Sequence, residues 1–297
     1  MPLRDRRGRR DDGRSLKIIP TLAELRAERA AWRDLGLVAT MGYLHDGHLS
    51  LIRAARTECR TVVMSLFVNP AQFGPGEDFA NYPRDTERDL RLTEKAGVDA
   101  VFVPRVEEVY PPGFDSWVEV GALTRRWEGQ ARPGHFRGVA TVVLKLLQMV
   151  QPDRAYFGEK DYQQLLVVRK MVADLNVPVD IVACPTVREA SGLALSSRNS
   201  YLPADSRERA AVLYRALKRA QELAAGGLTE VGRLRAAMDE VLAEEPDASL
   251  DYLAIVDPVT LEPLPRLSDE ARIVAALYIG GVRLIDNVPL QPMLRAR

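Results

Sequence analysis

Net charge is the first thing this sequence lacks: 41 Lys and Arg are balanced by 41 Asp and Glu over 297 residues. No global field then draws the chain to nucleic acid or to an anionic membrane, and any anion must be held by local charge. Cysteine is nearly absent. Cys59 and Cys184 each lie in an apolar run, where a free thiol behaves as a small buried hydrophobe, and no Cys/His cluster suggests a metal site. The basic stretch from Arg4 to Arg14 has no apolar segment after it, so it does not read as a secretory signal. No apolar run approaches the roughly 20 residues that cross a bilayer. These absences predict a soluble, cytoplasmic protein with neither nucleic acid nor membrane as partner. The Walker ending Gly-Lys-Ser/Thr and the dinucleotide pattern Gly-x-Gly-x-x-Gly are missing too.

What is present is ordinary globular material, 46% hydrophobic and 28% charged. Residues 1–14 have almost nothing to bury and read as a disordered tail; Asp11 and Asp12 dilute the alternative of an Arg-rich contact arm. From residue 16 strands and helices alternate. Strands are expected at 16–19, 36–40, 61–68, 100–103, 154–157 and 179–183. Helices are expected at 22–32 (capped by Thr21), from 47–48 onward, and at 85–95, 139–150 and 162–175. Such alternation predicts right-handed βαβ units and a doubly wound, Rossmann-like parallel sheet over residues 15–186, with ligands beyond the carboxyl ends of its strands. Residues 187–297 read as a smaller α+β domain. It has helices at 206–225 and 229–244, then strands at 251–256, 272–278 and 282–286, the last two turned by Gly280-Gly281.

Four constellations carry chemistry. Met41-Gly42-Tyr43-Leu44-His45-Asp46-Gly47-His48 joins a strand to a helix. Its glycines permit close backbone approach, the helix start favours an anion, and two of the chain's three histidines can donate to one phosphate chain. Gly158-Glu159-Lys160-Asp161 leaves a strand, with Gln163 and Gln164 just behind. Lys160 suits a phosphoryl group, while Asp161 suits either a ribose hydroxyl or magnesium. Alone, the triplet would pass for a solvated turn. Leu195-Ser196-Ser197-Arg198-Asn199 offers hydroxyls and a guanidinium as a polyphosphate clamp, a weak signal by itself. Asn69, Gln72, Tyr82, Arg132, His135 and Arg137 are polar residues expected on loops; Asn and Gln suit hydroxyl and carbonyl groups of a small substrate, and Arg a carboxylate or phosphate. The charges of residues 84–91 read as a solvated helix face.

In order and register, these segments resemble the pantothenate synthetases of the nucleotidyltransferase superfamily, relatives of class I aminoacyl-tRNA synthetases with an HxGH-type motif. The likeness runs over residues 16–290. It is most specific at Phe67-Val68-Asn69-Pro70-Ala71-Gln72-Phe73 and Arg132-Pro133-Gly134-His135-Phe136-Arg137-Gly138. The resemblance implies an ATP-dependent ligase of the coenzyme A pathway. It would join pantoate to β-alanine through a pantoyl adenylate, releasing pyrophosphate and AMP, with Mg2+ on the ATP phosphates. It implies that Met41–His48, Gly158–Asp161, Val187 and Leu195–Arg198 bind ATP, with His48, His45, Lys160 and Arg198 catalytic. Gln72 and Gln164 would grip pantoate, Gln72 also facing β-alanine, with Asn69, Tyr82, Arg132 and His135 as neighbours. A homodimer and a small domain closing over the ATP site are implied likewise. Ala39, Ser191 and Leu195 depart from the family's usual Pro, Asp and Met. The alternative is a nucleotidyltransferase acting on a phosphorylated acceptor, which shares the first constellation but needs a cationic pocket in place of Gln72 and Gln164.

Overall fold

The computed structural model describes residues 15–267 and 269–291, so the expectation for residues 1–14 lies outside the described part. The chain forms two compact units. Among the described residues, one holds those up to Glu159 together with Gln164–Pro185, and the other holds Lys160–Gln163 and those from Thr186 onward.

The first unit is built on six parallel strands: β1 Lys17–Ile19, β2 Leu35–Thr40, β3 Thr61–Leu66, β4 Ala100–Phe102, β5 Arg154–Gly158 and β6 Asp180–Cys184. Their order is β1-β4-β3-β2-β5-β6, with every pairing parallel. From β2 the chain steps outward through β3 and β4, then restarts on the other side of β2 with β5 and β6. The winding direction therefore reverses between β2 and β5, and at such a switch point crossovers diverge and leave a crevice beyond the strand ends. The β2 exit is the Met41 loop. β2 and β3 are almost wholly buried, as expected for strands covered on both faces.

Around this sheet run α1 Leu22–Arg29, α2 Asp46–Glu58, α3 Thr86–Lys95, α4 Val106–Val109, α5 Glu128–Ala131, α6 His135–Val150 and α7 Tyr162–Asp174. Thr21 caps α1 by accepting from the Glu24 N–H, although the helix ends at Arg29 rather than 32. Asp85 caps α3 in the same way, and Gly97, at φ +87°, lets the chain leave it. The helix expected from 139 starts at His135, because Gly134 at φ +83° turns the chain into it. His135 and Arg137 are therefore helical, not on a loop. The stretch 69–83 also contains a 3₁₀ turn, Pro70–Gln72, capped by the Asn69 side chain on the Ala71 N–H.

The second unit pairs α8 Ala204–Arg209, α9 Val212–Ala225 and α10 Val231–Leu242 with an antiparallel sheet, β7 Ser249–Val256, β8 Ala271–Ile279 and β9 Val282–Leu290. Its core packs Leu213, Leu217, Leu234 and Met238 against Ile273, Ala275, Leu284 and Val288. The helix expected over 206–225 is broken at Ala210-Ala211. β9 runs four residues past the expected end at 286: Asn287 and Pro289 weaken the strand pattern, but an edge strand tolerates the missing proline N–H.

Candidate functional site

The Met41–His48 loop leaves β2 through two successive left-handed residues, Gly42 at φ +89° and Tyr43 at φ +51°. A non-glycine residue there is strained unless its surroundings hold it. The holder is Asp89 of α3. Its Oδ2 accepts from the Tyr43 N–H at 2.7 Å and its Oδ1 from the Leu44 N–H at 2.8 Å. Asp89 is 1% exposed, which corrects the reading of residues 84–91 as a solvated face. Burial raises its pKa, against the opposing pull of the Leu44 and Tyr43 N–H groups. A signal existed: Asp89, Thr93 and Ala96 share one helical stripe, and Asp89 and Thr93 are the buried residues of α3.

At the start of α2 the two histidines form a capping box. His45 Nδ1 accepts from the Gly47 N–H at 3.1 Å, and His48 Nδ1 accepts from the His45 N–H at 3.3 Å. With Nδ1 accepting, each neutral ring carries its proton on Nε2 and can donate there. The rings lie 4.1 Å apart, centroid to centroid. Two Nε2–H donors thus sit beside the amino end of a 13-residue helix, an arrangement that stabilises an anion.

Gln72 adjoins this loop: its Nε2 donates to Met41 Sδ at 3.1 Å and its Oε1 accepts from Asn69 Nδ2 at 3.0 Å. Asn69, 1% exposed, also donates to the Gly138 carbonyl and accepts from the Ala71 N–H and the Tyr110 hydroxyl. Its hydrogen-bonding capacity is spent on shaping the turn. His135 Nδ1 donates to the Gln72 carbonyl at 2.8 Å, while its Nε2 accepts from Arg132 Nη1 at 3.1 Å. Burial, then the Arg132 charge, pushes the His135 pKa down to about 4, so the ring is neutral. Arg132 itself forms a bidentate pair with Glu77, at 2.8 and 2.7 Å. Burial would raise the Glu77 carboxyl, but the hydrogen bond and charge of Arg132 prevail and lower it. Arg132 and His135 therefore hold the backbone of Gln72, the arginine charge already being met. Sequence reading missed Glu77 and Tyr110. α6 comes so close to this turn that a Cβ on Gly138 would overlap the Ala71 carbonyl oxygen. Tyr82, 6% exposed, packs edge-on to Phe73 at 5.8 Å. Gly158 ends β5 and Glu159 opens the 3₁₀ turn after it, while Gln164 is half-buried in α7, all in this first unit.

The second unit holds the other expected phosphate binders. Lys160 Nζ lies 3.6 Å from Asp161 Oδ1, with the lysine side chain 19% exposed. Val187 and Leu195 face one another across a short antiparallel ladder, Leu195 N–H donating to the Val187 carbonyl at 3.0 Å. Ser196 caps the 3₁₀ turn Ser197–Tyr201 by accepting from the Arg198 N–H at 3.3 Å. Buried Asn199 ties this turn to the Ala194 carbonyl at 3.0 Å. Ser191 accepts from the Leu193 N–H at 3.4 Å, a turn-closing bond that its hydroxyl supplies without a charge. Among the described residues no three His, Cys, Asp or Glu side chains gather into a metal cage, and no helix is long and apolar enough to cross a membrane.

The family described as Pantoate-beta-alanine ligase matches residues 17–289. The chain is 58% identical to the pantothenate synthetase of Chloroflexus aurantiacus over 273 residues, 92% of this chain and 97% of that one. Its fold is similar to the crystal structure of pantothenate synthetase from Thermus thermophilus, with a TM-score of 0.90 and 55% identity, covering 93% of this chain and all of that one. It is also similar to a pantoate-beta-alanine ligase from Francisella tularensis solved complexed with Beta-gamma ATP and Beta-alanine (TM-score 0.77, 36% identity, 92% and 97% covered). These likenesses give no support to the nucleotidyltransferase alternative.

Proposed function

The chain belongs to the pantoate-beta-alanine ligase family, and from that premise we propose how its residues divide the work of making pantothenate from pantoate, β-alanine and ATP. The observation carrying this division is the pair of His45 and His48 Nδ1 acceptors at the start of α2, with Gln72 bonded to Met41 beside them.

A carboxylate resists attack by an amine, so it must first be activated. A pantoate carboxylate oxygen attacks the α-phosphorus of ATP, the bond to the bridging oxygen breaks, and pyrophosphate leaves. The β-alanine nitrogen then attacks the acyl carbon of the mixed anhydride, loses a proton, and AMP departs. Both nucleophiles belong to the substrates, so the protein contributes placement and charge stabilisation. His48 Nε2–H, with His45 beside it, donates to the phosphate oxygens as charge builds at the amino end of α2. Lys160 and Arg198 offset the charge of the leaving pyrophosphate. Met41–Leu44, Asp46, Gly47, Gly158, Glu159, Asp161, Val187, Leu195, Ser196 and Ser197 line the nucleotide. Gln72 and Gln164 hold pantoate through amide donors and acceptors, and Tyr82 walls the same pocket. Asn69, Arg132 and His135 act on Gln72 from behind. Supporting this are the filled hydrogen-bond capacity of Asn69 and the Arg132–Glu77 pair.

Mg2+ fits as a passenger of ATP. The donor set offers the Asp161 carboxylate but no protein cage among the described residues, which suits an ion that keeps phosphate and water ligands. Bound there, it would neutralise phosphate charge. A homodimer through the first unit is supported by Trp117 and Val106, large apolar side chains 43% and 40% exposed on that unit. Light scattering reporting a monomer would remove that part. A cytoplasmic location is supported by two free, buried thiols. The residue roles are tested by single-turnover pyrophosphate release with ATP, Mg2+ and pantoate. His48→Ala and Lys160→Ala are each expected to slow it about a hundredfold or more, the usual effect of removing a preorganised stabiliser. Near-parent rates would refute the assignment.

A further inference from the structure

Adjacent residues of a strand point to opposite faces, and in β9 the adjacent pair Asp286-Asn287 is buried on both, each residue being 4% exposed. Asp286 shares the face of Ile273 and Ala275, which packs on the helices. There its carboxylate takes both Arg188 Nη atoms, at 2.5 and 2.8 Å. Arg188 also lies over the Tyr214 ring, 4.0 Å from its centre. Arg188 is the residue after Val187 and pairs with Ala194, so this ion pair anchors the ladder that leads into Ser196–Arg198.

Asn287, on the other face, serves a different segment. Its Oδ1 accepts from Arg272 Nε at 2.8 Å and its Nδ2 donates to the Lys160 carbonyl at 2.9 Å. The Arg272 guanidinium stacks 3.6 Å over the Tyr162 ring, and the Tyr162 hydroxyl donates to the Pro258 carbonyl at 2.8 Å. Three contacts thus fasten residues 160–162 to the small unit, to which Lys160–Gln163 belongs although their chain neighbours do not. Lys160 leaves β5, but its backbone is held by β9.

We propose that Asp286-Asn287 is a positioning pair for adenylate formation: one strand step fixes the Lys160 turn through one face and the Ser196–Arg198 loop through the other, setting the spacing of the two cationic groups that meet the phosphates. The proposal rests on the phosphate roles given above to Lys160 and Arg198. A charge-stabilising pair acts only if its spacing is kept as pyrophosphate leaves, since a misplacement of about 1 Å can cost roughly a hundredfold.

The test uses Asn287→Asp, which keeps the oxygen facing Arg272 and replaces the donor to the Lys160 carbonyl. Two half-reactions are timed: pyrophosphate release from ATP and pantoate, and amide formation from supplied pantoyl adenylate and β-alanine. Adenylation is expected to fall about tenfold, the scale of one backbone bond lost and opposed, with aminolysis of the supplied adenylate within about twofold of the parent. Combined with Lys160→Ala, Asn287→Asp should add less than about twofold, because its effect runs through that lysine. Equal loss in both half-reactions, or a full further loss on top of Lys160→Ala, overturns the proposal. If Asn287→Asp does not fold, Tyr162→Phe decides, since it keeps the ring under Arg272 and removes the bond to Pro258. The same split, at about threefold or more, is expected, and parent-like adenylation contradicts it. A Lys160→Ala enzyme as fast as the parent overturns the lysine's role and this proposal together. A costly Lys160→Ala with an additive Asn287→Asp overturns only the proposal.

Discussion

Asp89→Asn separates what the fold needs from what the reaction needs. The Asp89 carboxylate accepts two N–H groups of a loop held at positive φ, and its pKa is raised because burial outweighs those bonds. A carboxyl whose pKa is raised by folding favours the fold when protonated. That contribution is complete below the ordinary aspartate value of 3.8 and is lost as the pH rises through the raised folded value. Above that raised value the ionised group is therefore a stability cost, retained for its two acceptors. Asparagine removes the buried charge but keeps one acceptor, turning an NH2 group toward one of the two N–H groups. The effects on stability oppose each other, so unfolding free energy should move by no more than about 1 kcal/mol. The loop, however, loses one charge-assisted bond of about 1.5–3 kcal/mol. If between half and all of that appears in the transition state, adenylation slows about 4- to 160-fold. Thermal melts at several pH values and single-turnover pyrophosphate release provide the assay. The melting temperature of Asp89→Asn relative to the parent should climb from acid toward neutral pH, while its adenylation rate stays low. A well-folded variant with parent-like adenylation would refute the positioning argument.

Three further outcomes follow from the Gln72 support. His135 has its pKa depressed to about 4 from an ordinary 6.5. The stability it contributes is therefore present above 6.5 and lost as the pH falls toward 4, by roughly 3 kcal/mol in all; His135→Gln should flatten that part of the melting curve measured against pH. Gly138→Ala drives a methyl into the Ala71 carbonyl oxygen, and should cost about 1–3 kcal/mol by chemical denaturation and raise KM for pantoate more than for ATP. Glu77→Gln leaves Arg132 without its charge partner and should also raise KM for pantoate. An unchanged KM would mean that the Glu77–Arg132–His135 chain does not govern Gln72.

The parallel sheet was legible because buried strands such as 61–66 and 100–102 are continuous apolar runs with helices between them. The histidine loop was legible because glycine, histidine and a strand-to-helix junction coincide there. Residues acting through another residue were harder to see. Asp89 looks like any carboxylate in a charged helix until its stripe is traced, and its partners are backbone atoms 45 and 46 residues away. Asn287 and Pro289 interrupt the strand pattern, which made β9 look shorter than it is, and the burial of Asp286 and Asn287 underlies the positioning role proposed for them. The helical start at His135 was hidden because Gly134 does the work of a cap through its backbone conformation, with no capping side chain.

The most direct measurement is pyrophosphate release from ATP and Mg2+ with pantoate alone, followed by addition of β-alanine. Pantoate-dependent release, and then AMP and pantothenate once the amine is added, is the predicted result. Pyrophosphate appearing only when β-alanine is present, from well-folded protein, would contradict an adenylate formed ahead of the amine.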